Sequence, residues 1–388
     1  MVARRQSLYY AALCALIVLF WQALTVHFNY EDDWSALFYT GAFTPQPPAV
    51  AEEGIYRFAN SSGFDGQYYH FIAHDPFLRH GTQRFVDNPQ LRWRRILIPL
   101  LTWAVAFGQS DYIDSTFFGT ILAFVFLGAW WLARFCKLHG LSAAWGLAFA
   151  AVPAVLVSID RSTVDVSLAA LSIGFIVAAD SGPPWLLYLI LICAPLARET
   201  GVVLNVAYVI YALTRKSRRE ALIGAGTTVP WLAWLTYLDA RTVADQSTFA
   251  SFIPFEGLIG RTLHPVQFEI ATHWLRTAAV LEYIAVLGIW AAVALTARLA
   301  WKRRWNLTAV SCFVFAGIFV VFLGEPEAWA SAYAFARTMS PLLIWLGLIA
   351  IAGRSWIDLA PLAMTIPRIL FQFGPQWHGI LHGLKALR

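Results

Sequence analysis

Apolar runs of membrane-crossing length constrain this chain more than any other feature. Segments 8–26, 115–134, 141–159, 220–238, 277–298, 307–323 and 335–353 are each dominated by Ala, Leu, Ile, Val, Phe and Trp. A helix needs about 20 such residues to cross a bilayer, with a range of about 17–25. In hydrocarbon only a helix or a closed barrel satisfies every backbone polar group. Three further pieces, 164–180, 184–198 and 200–214, are shorter but distinctly apolar. Composition agrees: 59% of residues are hydrophobic, 13% are charged and mean hydropathy is +0.59. Soluble domains carry about 45–50% apolar and about 25% charged residues. The chain therefore reads as an all-α polytopic membrane protein. Its formal charge of +5 is no nucleic-acid signal, because Lys and Arg gather at the ends of apolar runs, where they set topology. Cys14, Cys136, Cys193 and Cys312 lie in or beside apolar runs at no metal-ligand spacing and read as packing residues.

Charge decides which side is which. MVARRQ followed by the run 8–26 reads as an uncleaved signal-anchor helix. Segment 95–108 is either a short crossing or a helix that dips in and returns. With a cytoplasmic N-terminus and no crossing there, about ten spans remain. RFCK at 134–137, TRKSRR at 214–219 and WKRRW at 301–305 then all face the cytoplasm, as the positive-inside rule asks. This gives a transmembrane domain over 1–353, with a first extracytoplasmic loop at 27–94 and a second at 239–276, then a cytoplasmic interfacial tail at 354–388. Trp34, Phe38, Tyr68, Tyr69 and Phe71 predict short amphipathic helices lying on the membrane surface within the first loop. Of 23 acidic residues only Asp180, Glu220 and Asp358 fall inside, so carboxylate chemistry belongs to the outer face.

Four clusters converge on that face: Glu31, Asp32 and Asp33; FDGQYY with HDP, residues 64–69 and 74–76; SIDRSTVD, residues 158–165; and ARETG, residues 197–201. The basic run RWRR, residues 92–95, adjoins them. Ionisable residues near membrane depth are costly and usually face a cavity with partners. Asp160, Arg161, Asp165, Arg198 and Glu199 are of that kind. Arginines match phosphate oxygens, and a nearby carboxylate takes a proton from a hydroxyl. Both together suit a lipid phosphate whose tail stays in the bilayer. His70 and His74, four apart, have the spacing of a metal pair on a helix, but the sequence offers no HExxH and no adjacent third ligand. Glu282 stays without a role at this level.

The ordered motifs resemble a known family. FDGQYYHFIA resembles the first-loop FDAxxYxxIA pattern of GPI mannosyltransferase-type enzymes. DRSTVD, with Arg161 four residues before Asp165, resembles their SRGNAD motif, and RRILIPLLTW resembles their YTPLLAW segment. The resemblance spans roughly residues 8–215 and points to the integral-membrane GT-C glycosyltransferases, more closely to a bacterial group of cell-surface glycopolymer-forming proteins. It implies a GT-C-like bundle and a multi-pass protein of the bacterial inner membrane with its active site toward the periplasm or exterior. It implies a polyprenyl-phosphate sugar as donor, inverting transfer to a glycan, glycolipid or protein acceptor, and a catalytic acid in the first loop. Carried over by motif, that acid is Asp65, while Asp32 and Asp33 compete because many relatives place it directly after the first span, and Asp75 is the remaining alternative. Arg161, Asp165, Arg198, Glu199, Arg92, Arg95, Asp75, Tyr68 and Tyr69 are the substrate-binding candidates. Some relatives use a divalent cation and others do not. A transporter or flippase of a lipid-linked or anionic substrate is the competing class, since broken helices and intramembrane charge suit it too.

Overall fold

The computed structural model describes residues 2–243, 250–264, 271–324, 329 and 334–386. Among the described residues the structure is helical, apart from two isolated bridges, Gly41 with Phe58 and Ala250 with Leu323. Five helices are long and apolar enough to cross a membrane: Arg5–Asn29, Ser110–Leu138, Arg218–Asp239, Thr272–Trp301 and Phe335–Gly353. A sixth is made if the bent pair Ala143–Ala151 and Pro153–Arg161, which meet at 62°, forms one span.

By helix length this is five or six spans, against the ten expected from apolar runs. The difference has a local cause. Pro184–Ala197, Glu199–Thr214 and Leu307–Val320 are apolar helices of under 18 residues. Arg198, extended at φ −162°, ψ 147°, separates the first two, and the third passes through a π-helical turn at Ala316–Val320. At 1.5 Å per residue, a 14-residue helix such as Pro184–Ala197 reaches about 21 Å, less than the ~30 Å hydrocarbon core. Helix Asp165–Ser181 has 17 residues and is buried along most of its length, so protein rather than lipid surrounds it. Segment 95–108 forms the nine-residue helix Leu97–Val105, too short to cross.

Contacts separate the two ends of the bundle. At one end Arg134 donates to the Ser181 carbonyl at 3.1 Å, and the rings of Trp145 and Trp356 lie 5.8 Å apart. At the other end the first loop folds over the chain reversals at 161–165 and 198–201. Of the aromatics that suggest surface helices in that loop, Trp34 and Tyr68 are only partly buried. Phe38, Tyr69, Phe71 and Ile72 are buried in protein. Phe38 stacks on His70 with centroids 3.9 Å apart and meets Phe117 and Phe118 of the long Ile113–Leu138 helix.

The tail is also more integrated than its mixed polarity suggests. Helix Ala360–Leu370 packs along Thr272–Trp301. There Arg368, fully buried, donates to Glu282 at 2.7 Å, and Arg261 donates to the same carboxylate at 2.8 Å. Glu282 thus has two guanidinium partners inside the bundle. Helix Gly374–Ala386 then lies against the end of the first helix. Gln376 donates to Asp160 at 2.9 Å, Asn29 donates to the Gln376 carbonyl at 3.3 Å, and the Trp21 and Trp377 rings lie 4.8 Å apart. Residues 374–386 therefore sit at the same end of the bundle as Asp160 and the first loop. A placement of these residues at the opposite end of the bundle from the first loop does not fit those contacts. Of the tail's polar residues, Arg368 and Gln376 bond inward, while His378, His382 and Lys385 are exposed.

Candidate functional site

Helix Asp65–His74 begins at the expected acid. Phe64 is extended before it, and Asp65 sits in the first turn, where a negative charge complements the helix dipole. Gly66 lies where no side chain fits: a Cβ there would collide with the Arg161 carbonyl oxygen and lie 2.9 Å from the Phe38 carbonyl oxygen. Gln67, buried, accepts from the Gly41 amide at 3.1 Å and donates to the Ser62 carbonyl at 2.8 Å. The FDGQ stretch therefore does two jobs. Asp65 carries charge, while Gly66 and Gln67 seat the helix against the 158–165 turn and close the loop. A Gly66→Ala chain is expected to lose several degrees of thermal midpoint and most of its activity, as the Asp65 helix is pushed off Arg161; thermal unfolding in detergent checks this.

Around Asp65 the charges form one connected network. Arg92 Nη1 lies 2.8 Å from Asp65 Oδ1, and Arg337 Nη1 lies 2.8 Å from Oδ2. Arg337 also approaches Asp165 at 3.7 Å. Asp165 contacts Arg198, which donates to Thr338 at 3.1 Å and lies 3.7 Å from Glu199. Glu199 is held by Arg95 in a two-point fork at 2.8 and 2.7 Å, and Arg95 donates to the Tyr69 hydroxyl at 3.0 Å. Arg92 is held from outside by Asp87, through bonds of 2.9 and 2.7 Å. The Tyr68 ring lies 5.0 Å from the Arg92 guanidinium.

The structure thus brings together Asp65, Arg92, Arg95, Asp165, Arg198, Glu199, Tyr68 and Tyr69. It adds Arg337, Thr338 and Asp87, which sequence reasoning missed. Arg337 had one signal: a cation in the first turn of an apolar helix, where an ionisable group is expensive.

Four expected residues stand outside the network. Asp32 pairs with His27 at 2.8 Å, and its side chain is 72% exposed. Asp33 caps the 3₁₀ turn Trp34–Phe38, accepting from the Ser35 amide and hydroxyl. Asp75 accepts from the amides of Arg79 and His80 at 2.7 and 2.8 Å and so closes a turn. Arg161 pairs with Asp160 at 3.0 Å and stacks 3.5 Å from the Tyr39 ring centroid. Its carbonyl borders Gly66, but its guanidinium faces Tyr39. Short acids next to a turn bond local amides more readily than distant groups, which is what Asp33 and Asp75 do. An Asp32→Asn chain is expected to keep wild-type activity and thermal midpoint, since exposed pairs contribute little; unchanged turnover in that variant is the control for Asp65.

Electrostatics follow the geometry. Burial raises the proton affinity of Asp65, but Arg92, Arg337 and Arg95 outweigh it and hold the carboxyl well below its usual range. Arg92 and Arg95 are pushed above the usual guanidinium value: burial opposes this, and Asp65 and Glu199 respectively overcome it. Arg198 is shifted down, by burial first and then by Arg95. The buried Nε groups of Arg198 and Arg337 have no hydrogen-bond acceptor among the described residues. Buried cationic donors without acceptors suit an anion with several oxygens. A divalent cation does not suit Asp65, because both its oxygens already face guanidinium nitrogens.

His70 and His74 face away from this network, toward Glu53 and Asp114. Burial pushes Glu53 up to about 7, with Asp114 adding to the rise and His70 opposing it. Burial and then His70 push His74 down to about 3.

Comparison with known protein families, curated proteins and solved structures finds no match to this chain.

Proposed function

We propose that the chain is an integral-membrane glycosyltransferase of the GT-C kind, moving a sugar from a polyprenyl-phosphate donor to an acceptor hydroxyl at the extracytoplasmic face of the bacterial inner membrane. The observation that carries the reading is the juxtaposition of Asp65 with Arg92, Arg337 and Arg198 at one end of an apolar bundle. The ordered first-loop and DRSTVD motifs support the same assignment. In this reading the shorter helices also pass between the two faces, giving about ten passages, with neighbouring helices shielding the breaks that lipid would not tolerate.

The chemistry then follows. The acceptor oxygen attacks the anomeric carbon and forms the new glycosidic bond. The bond from that carbon to the phosphate oxygen breaks, and its electron pair leaves with polyprenyl phosphate. The hydroxyl proton goes to Asp65. Charge builds on the leaving phosphate, and donors already aimed at it lower the barrier without reorganising. Arg337 and Arg198 fill that role, with Arg92 and Arg95 holding the pocket. Asp65 clamped by two guanidinium groups is a weak base. When phosphate oxygens take over part of Arg337, Asp65 regains proton affinity, so the base is strengthened when donor is present. Asp165 and Glu199 orient Arg198 and Arg95.

The test is a transfer assay with the purified chain in liposomes, offering a panel of labelled polyprenyl-phosphate sugars. One donor is expected to be consumed, with release of polyprenyl phosphate. If none is consumed and a lipid-linked sugar instead appears on the other leaflet, the chain is a flippase.

A further inference from the structure

A second cluster lies on the far side of the Asp65–His74 helix and takes no part in the transfer chemistry. The i, i+4 spacing puts His70 and His74 on one face of that helix. Their Nε2 atoms face each other at 3.2 Å. His70 Nε2 lies 2.7 Å from Asp114 Oδ1 and 3.6 Å from Glu53 Oε2, and His74 Nε2 lies 3.4 Å from Glu53 Oε1. One donor atom from each of the four residues falls within 4.8 Å of all the others. We propose that Glu53, His70, His74 and Asp114 form a binding site for a divalent transition-metal ion of the Zn²⁺ type.

Spacing, donor chemistry and placement support this. Ligands at about 2.0–2.1 Å from a tetrahedral Zn²⁺ stand about 3.3 Å from one another, and the cluster's contacts bracket that distance. Two imidazoles with two carboxylates suit Zn²⁺, Co²⁺ or Fe²⁺; Ca²⁺ and Mg²⁺ prefer shells of oxygen alone. His70 is fully buried, whereas the Glu53 and Asp114 side chains are 20% and 34% exposed, so an ion can enter from solvent. The four ligands come from three elements: the residue after helix Pro48–Glu52, helix Asp65–His74, and the first turn of Ile113–Leu138. The missing third ligand of the sequence is therefore supplied from both directions along the chain. A bound ion would staple the first loop to a long helix and brace the helix that carries Asp65. This site is independent of the glycosyltransferase reading.

The experiment uses the full chain purified in detergent, stripped with chelator and titrated with Co²⁺. Expected are about one Co²⁺ per chain with the visible absorption of a four-coordinate ion, a raised thermal midpoint, and displacement of both signals by Zn²⁺. His74→Gln should abolish the absorption and weaken binding by more than the roughly 10–100-fold that outer-shell changes cost. Glu53→Gln, on a partly exposed side chain, should weaken it while leaving the fold intact, and Asp65→Asn should leave Co²⁺ uptake unchanged. Absence of Co²⁺ absorption in the folded wild-type chain, or uptake undiminished in both ligand variants, would overturn the proposal and leave the cluster as a hydrogen-bonded His–carboxylate group.

Discussion

An Asp65→Asn chain is expected to insert and fold but to transfer sugar about 10²–10⁴-fold more slowly, the usual worth of a positioned general base. Asn keeps the shape and one acceptor oxygen but removes the charge between Arg92 and Arg337. Breaking a buried ion pair from one side costs about 3–5 kcal/mol, so the thermal midpoint should also fall. Turnover must therefore be measured per folded molecule, with Asp32→Asn as the reference that changes neither quantity. Wild-type turnover in folded Asp65→Asn protein would remove the proposed base.

The depressed proton affinity of Asp65 adds a pH signature. Its ordinary value is 3.8 and its folded value is lower. The stability from its ion pairs is thus fully present above pH 3.8 and is lost only as pH falls further, toward the folded value. In the free protein Asp65 stays ionised through mild acid, so kcat/KM should show no acid limb from it. If donor phosphate draws Arg337 away, the carboxylate becomes more basic in the complex, and kcat should show an acid limb where kcat/KM stays flat. A kcat as flat as kcat/KM would argue against the exchange of partners.

Arg337 is the second residue from which a large effect is expected. It joins Asp65 to Asp165, and its guanidinium lies 5.4 Å from the Phe64 ring. Arg337→Ala should lower kcat by about 10²–10³-fold, the range measured for removing one preorganised donor to a developing negative charge. Arg337→Lys should recover stability better than turnover, because an ammonium keeps the charge but not the planar fork. An Arg337→Ala chain that keeps wild-type kcat, with only weaker donor binding, would reduce this residue to a ground-state contact.

Much of the network was legible because charge stands out against an apolar chain. Asp165, Arg198 and Glu199 interrupt runs that lipid or protein would otherwise cover, and such interruptions are rarely free of partners. Asp65, Arg92 and Arg95 were found by motif and by their place in the first loop. The same reasoning also picked Asp32, Asp33, Asp75 and Arg161, whose contacts described above lie outside the network. There the short acids are met nearby, by His27 or by turn groups, and the Arg161 guanidinium pairs with Asp160 beside the Tyr39 ring. Position after a span did not reveal which acid would meet an arginine. The span count was less legible, because apolarity sets which residues avoid water but not where a helix breaks.

The sequence alone settled that this is a helical, membrane-type chain, since runs of apolar residues at that length leave the backbone no other way to satisfy its polar groups. Tertiary structure decided the rest. Arg337, the inward-bonding tail and the pairing of Glu53 and Asp114 with His70 and His74 all depend on contacts between residues far apart in the chain. Such contacts leave no local periodicity to read. They arise only when helices pack and each buried charge must find an opposite charge or a hydrogen-bond partner.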